Sequence, residues 1–253
     1  MFFMDKLRFE EALKQSALSE TCAGGIGTLG EKSVHNVLKY YFEPFEGNHE
    51  THIGGFVADI VGEDGIIEIQ TGSFQRLREK LTAFLEATRV TVVYPIPNER
   101  WLLWIDKESG ELISRRKCRS RANVYSCFEE LYRIKQHITH EGFTFCLVLL
   151  DLEELKYRDG RGKSRKIHAT KVDRIPVDIA DEIYFREPAD YLFFIPAGLA
   201  EEFTAKDFAA SAGINDNLAR LTLNLLTHLG VTEHFGKTGN SFLYRITRGL
   251  APL

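Results

Sequence analysis

Asp59, Glu68 and Gln70 are the residues of this 253-residue chain whose types and spacing best suit chemistry. They lie in Asp59-Ile60-Val61-Gly62-Glu63-Asp64-Gly65-Ile66-Ile67-Glu68-Ile69-Gln70, where two apolar-alternating runs, residues 55–61 and 65–71, flank a Gly-Glu-Asp-Gly turn. Asp-Gly between such runs signals a hairpin, because both residues tolerate positive φ. Glu68 and Gln70 are two apart in one strand, so they share a face. Across a tight hairpin, Asp59 and Glu68 come within reach of a single cation. Two carboxylates and a carbonyl oxygen suit Mg²⁺, a hard ion that keeps several waters and takes few protein ligands. A charged Glu68 among Ile66, Ile67 and Ile69 is costly unless it is solvated, paired or bound to metal. The competing reading is a solvent-facing hairpin with its polar residues turned outward.

The elements that must position these residues follow from periodicity. Residues 5–19 predict a helix with Leu7, Phe9, Leu13 and Leu18 on its buried face. A second helix spans Glu31 to Tyr41, with Val34, Val37, Leu38 and Tyr41 inward. After the hairpin, Phe74 to Ala87 is an amphipathic helix that buries Leu77, Leu81, Phe84 and Leu85. Val90 to Tyr94 is a buried strand, ended by Pro95 and Pro97. Trp101 to Ile105 and Leu112 to Ser114 pair around Ser109-Gly110, Val124 to Ile138 is helical, and Phe143 to Leu150 is a further buried strand.

This order, helix, hairpin, helix, strand, together with the spacing of Asp59 and Glu68-Ile69-Gln70, resembles the PD-(D/E)xK, restriction-endonuclease-like nuclease superfamily. The resemblance covers residues 25–97 and rests on a short motif. It implies an α/β core of helix, strand meander, helix and strand, and a metal-dependent nuclease that hydrolyses DNA phosphodiester bonds, an endodeoxyribonuclease. Asp59 takes the motif aspartate's position and Glu68 the acidic one, and the two would hold Mg²⁺ or Mn²⁺ with the Ile69 carbonyl as a third ligand. Glu31 is similar to the extra glutamate that many members carry on the first helix. Gln70 stands where the family has lysine, and it can hydrogen-bond but carries no charge. The resemblance lets the missing cation move to the next helix, where Lys80 is the candidate. The alternative is a catalytically inactive DNA-binding or regulatory protein with a degenerate nuclease core.

The net charge of -4 argues against a whole-protein nucleic-acid clamp, but the charge is unevenly spread. Residues 156–174 hold eight basic side chains against two acidic ones, among them Arg161, Lys163, Arg165 and Lys166. A second cluster, residues 115–121, includes Arg115, Arg116 and Lys117. Two such runs in an acidic chain point to an anionic partner, with DNA as the expected one.

The last third changes character. Thr204 N-caps a short helix that Gly213 ends, a second helix runs from Asn217 to Leu229, and two strands flank Gly236-Lys237-Thr238-Gly239-Asn240. This is the pattern of a winged helix-turn-helix, giving an expected division into residues 1–188 and 189–253. Lys237 on the wing is placed to touch phosphate. Six leucines between Leu218 and Leu229 cover more than one face, which also suits packing or a homodimer.

Other chemistries are excluded. Gly25-Ile26-Gly27-Thr28-Leu29-Gly30 matches G-x-G-x-x-G but follows a helix rather than a strand, and Glu31 breaks the P-loop register before Lys32-Ser33. The eight histidines form no H-E-x-x-H pattern, and the four widely spaced cysteines form no C-x-x-C. No signal peptide or membrane helix is legible, so a cytoplasmic protein without a membrane partner is expected.

Overall fold

The computed structural model describes residues 6–22, 32–118, 123–157 and 170–250. These residues form an α/β protein with one seven-stranded and one three-stranded sheet. No helix among them is long and apolar enough to cross a membrane.

Helix α1 (Lys6–Cys22) packs on α2 (Lys32–Phe42). Its buried stripe is not the expected one: Leu7 and Leu18 are exposed, while Phe9, Ala12 and Ser16 are buried. Small side chains at 12 and 16 let α2 approach, and the Asn36 amide donates to the Ser16 and Ser19 hydroxyls at 3.0 and 3.1 Å. On α2, Val34, Val37, Leu38 and Tyr41 are all buried, as their spacing requires.

A meander follows: β1 (His49–Ile53), β2 (Phe56–Gly62) and β3 (Gly65–Ile69), paired antiparallel in sequence order. The first strand has no clear sequence signal. Its turn places Gly54 and Gly55 at φ 58° and 82°, the two positive dihedrals that a tight hairpin demands. The second turn closes one residue earlier than the Asp-Gly signal suggests. Gly62 pairs with Gly65, so Glu63 and Asp64 form the centre and Gly65 alone takes positive φ.

Helix α3 (Leu77–Ala87) buries Leu77, Leu81, Phe84 and Leu85 as expected. Strand β4 does not stop at the prolines but runs from Val90 to Ile105. Pro95 and Pro97 are two apart, so their missing N–H groups fall on one edge. They also lie between Val93, whose carbonyl accepts the Gln70 N–H, and Trp101, where pairing with β5 (Leu112–Lys117) begins. Residues 124–138 form not one helix but the short α4 (Cys127–Leu131) between two 3₁₀ turns. The basic stretch of residues 156–174 begins and ends in long strands, β6 (Phe143–Tyr157) and β7 (Thr170–Phe185). The large sheet has the order β1-β2-β3-β4-β6-β7, with β5 added to β4.

The chain divides into two compact units, interleaved in sequence rather than contiguous about residue 188. The first comprises residues 1–72, 92–122 and 146–183, and the second 73–91, 123–145 and 184–253. In the second, Phe194 stacks on Phe185 at 5.0 Å and meets the Phe128 ring edge-on at 4.7 Å. The same unit holds β8 (Phe203–Thr204), α5 (Ala205–Ala212), α6 (Asp216–His228), β9 (Thr232–Thr238) and β10 (Ser241–Ile246). Thr204 caps α5 and Gly213 ends it at φ 66°, both as expected. The C-terminal hairpin turns only at Gly239-Asn240, since Gly236 to Thr238 extend β9 in pairing with β10.

Candidate active site

Asp59 and Glu68 come together where the β2–β3 ladder opens. The ladder pairs Gly62 with Gly65, Val61 with Ile66 and Ile60 with Ile67; the next step would pair Asp59 with Glu68. There each acidic side chain accepts a backbone N–H from the neighbouring strand. The Asp59 N–H donates to Glu68 Oε1 at 3.1 Å, and the Ile69 N–H donates to Asp59 Oδ2 at 2.8 Å. Glu68 is wholly buried, while Asp59 retains 18% side-chain exposure. The solvent-facing hairpin is therefore not what forms at Glu68.

Three further side chains join them that sequence reasoning passed over. His35 Nε2 on α2 lies 3.2 Å from Asp59 Oδ2. Lys39, one turn further along α2, places Nζ 2.7 Å from Glu50 Oε1 on β1. The β1–β2 ladder pairs His49 with Ile60 and Thr51 with Ala58, so Glu50 stands across from Asp59. Residues 50, 59 and 68 thus occupy one row across three strands. Lys39 holds the Glu50 carboxyl below the usual carboxylate range through its hydrogen bond and charge. Asp59 pushes that carboxyl up and His35 pulls it down, so all four groups share one electrostatic neighbourhood. The signal for His35 and Lys39 was their i, i+4 spacing on an amphipathic helix, read only for its apolar positions.

The donor set fits a hard divalent ion, since Asp59 and Glu68 offer carboxylate oxygens from adjacent strands and Ile69 a backbone carbonyl. Among the described residues, no group of three or more His, Cys, Asp and Glu side chains is gathered as a metal site. A hard ion at Asp59 and Glu68 would therefore rest on two carboxylates, a carbonyl and water. Gln70 follows β3 directly and is half-buried. Lys80 belongs to the second unit, where its ammonium lies 5.5 Å from the Phe84 ring centre. Glu31 lies outside the described residues.

The candidate nucleic-acid contacts are less available than their charges suggest. On β5, Arg115 Nε donates to Glu153 at 2.9 Å and Lys117 is ion-paired with Glu99. Both cations also lie over the Trp101 ring, at 5.2 and 5.4 Å. Arg116 points to the other side of the exposed strand. Lys237 is exposed on β9, 4.9 Å from the Phe242 ring centre. Arg161, Lys163, Arg165 and Lys166 lie outside the described residues.

Helix α6 spends much of its polar face within its own unit. Thr222 is buried, Thr227 shares a hydrogen bond with Thr232, Asn224 accepts from Lys135 at 2.8 Å, and His228 meets the Lys135 carbonyl at 3.2 Å. Asn217 and Arg220 remain exposed on that helix.

Comparison with known proteins adds no activity. The chain is similar to an uncharacterized protein of Treponema pallidum (strain Nichols), at 28% identity over 222 residues, 87% of either chain. No solved structure matches. A family model described as a domain of unknown function (DUF8091) matches residues 32–186, from α2 through β7, and so includes the whole Asp59–Glu68 cluster. On that match, which covers more than half of its length, the chain belongs to the DUF8091 family.

Proposed function

We propose that the protein is a divalent-metal-dependent nuclease that hydrolyses DNA phosphodiester bonds, with a restriction-endonuclease-like core and a C-terminal winged helix-turn-helix. The observation that carries this reading is the Asp59–Glu68 pair, two carboxylates on adjacent strands where the ladder opens. The order of α2, meander, α3 and β4 supports the core, and the order of α5, α6 and the β9–β10 hairpin supports the winged module.

Mg²⁺ or Mn²⁺ would be held by Asp59, Glu68 and the Ile69 carbonyl, supplying an acidified water and offsetting charge on the pentacoordinate phosphate. The chain's own residues orient these ligands. The Ile69 N–H and His35 both meet Asp59 Oδ2, and the Asp59 N–H fixes the Glu68 carboxylate. Gln70 would hydrogen-bond the attacking water without adding charge. Of the described candidate contacts, Arg116 and Lys237 are exposed to meet the DNA backbone, whereas Arg115 and Lys117 are held by Glu153 and Glu99. A second reading, a DNA-binding protein without catalysis, draws on the neutral Gln70 where the family has lysine.

Nicking of supercoiled plasmid tests the proposal. The protein with Mn²⁺ or Mg²⁺ should relax the plasmid, EDTA should prevent it, and Asp59→Ala should abolish it. Activity that survives in Asp59→Ala would sink the site assignment. Wild-type protein that binds DNA yet neither nicks it nor binds Mn²⁺ by calorimetry would favour the second reading.

A further inference from the structure

Lys39 is unusual in its surroundings. The residue is only 8% exposed, yet its ammonium meets a carboxylate that belongs to a largely exposed side chain, Glu50 at 70%. A lysine whose stem is buried is held in place by its packing, whereas an exposed glutamate can swing aside at little cost beyond one ion pair. The backbone at Glu50 is also strained. At φ 51° it is the one non-glycine residue with positive φ among the described residues, a disfavoured conformation that tends to mark functional sites.

Position gives this pair its meaning. Lys39 follows His35 by one helical turn, and His35 touches Asp59. Glu50 stands across the β1–β2 ladder from the same Asp59. The site thus has a fixed cation on the α2 side, while Gln70, at the end of β3, is neutral. A phosphodiester oxygen carries the same charge as the Glu50 carboxylate and accepts the same short, charge-assisted hydrogen bond. Exchanging one for the other keeps the Lys39 charge compensated throughout.

We propose that Lys39 is the phosphate-binding cation of this site and that the Glu50 carboxylate occupies its ammonium until nucleic acid displaces it. The proposal rests on the reading of Asp59 and Glu68 as a phosphodiester site, and it names the group that contacts the phosphate there.

Fluorescence anisotropy with a labelled DNA duplex in Ca²⁺ buffer separates the possibilities, because it reads binding rather than turnover. Lys39→Gln should weaken binding by about 10- to 100-fold, the worth of one charged hydrogen bond. Lys39→Arg, which keeps the charge, should recover much of it. Glu50→Gln should tighten binding by about two- to fivefold, because it removes the competitor in an exposed ion pair. A pair that is merely structural predicts the same sign for both variants, so weaker binding by Glu50→Gln would overturn the proposal. So would Lys39→Gln binding within twofold of wild type. If Lys39→Gln melts early, the sign of the Glu50→Gln effect still decides. Wild type that binds DNA but does not nick it with Mn²⁺ would refute the nuclease reading and leave the Lys39 assignment to these affinities. Wild type that binds no duplex would refute both.

Discussion

The backbone N–H of Asp59 donates to the carboxylate of Glu68, on the neighbouring strand, at 3.1 Å. Asp59 reciprocates by accepting the Ile69 N–H at 2.8 Å. Each acidic side chain thus accepts from the backbone of the neighbouring strand. The result is a pair of carboxylates whose orientation is set by the backbone, which is the preorganisation a metal site requires.

That bond gives Glu68 a structural role. Glu68→Ala should cost about 1–3 kcal/mol in EDTA, because it leaves the Asp59 N–H without its acceptor. Glu68→Gln keeps a side-chain oxygen and should lose clearly less. Urea denaturation of the three proteins measures this, and an alanine variant as stable as the glutamine one would show that the bond contributes nothing.

On β5, the charge pairs predict an order among neighbouring arginines. Arg115 and Lys117 must release Glu153 and Glu99 before they can meet phosphate, whereas Arg116 lies on the other side of the strand. Arg116→Ala should therefore weaken DNA binding more than Arg115→Ala or Lys117→Ala at low salt. The two paired positions should alter stability by no more than about 1 kcal/mol, as exposed ion pairs do. Equal affinity losses at all three positions would contradict this order.

At the start of α5, the Thr204 N–H and hydroxyl both donate to Asp207 Oδ2, at 2.8 and 2.7 Å, and hold its carboxyl below the usual aspartate range. The folded-state value lies below the unfolded one, so the stabilisation is fully present above pH ~4 and fades as pH falls through the lower folded value. Asp207→Ala should cost about 0.5–2 kcal/mol at pH 7, a typical capping contribution. The cost should shrink in urea melts near pH 3. A cost independent of pH would mean that the carboxylate charge plays no part in the cap.

Much of this architecture is legible in the chain because it depends on local rules. The apolar spacing of α2 and α3, the Thr204 cap and the Gly213 stop each follow from residues within one or two turns of one another. Long strands are less legible. β4 continues through Pro95 and Pro97, since whether a missing N–H matters depends on which edge it faces. β7 is hidden by a charge-rich, proline-containing sequence that follows the basic run and pairs with β6 in the sheet. The stripe on α1 was misread because Ala12 and Ser16 are chosen for the closeness of α2 rather than for hydrophobicity.

The same division runs through the site. The sequence alone determined that Asp59 and Glu68 belong to adjacent strands, because hairpin register is counted in residues from a turn. It did not determine that Glu68 would be buried, that His35 would reach Asp59, or that Lys39 would find Glu50. Those contacts join α2 to the meander across a tertiary packing surface. An electrostatic pair of this kind has no period in the chain; only the fold, by fixing which helix face lies against which strand, decides it.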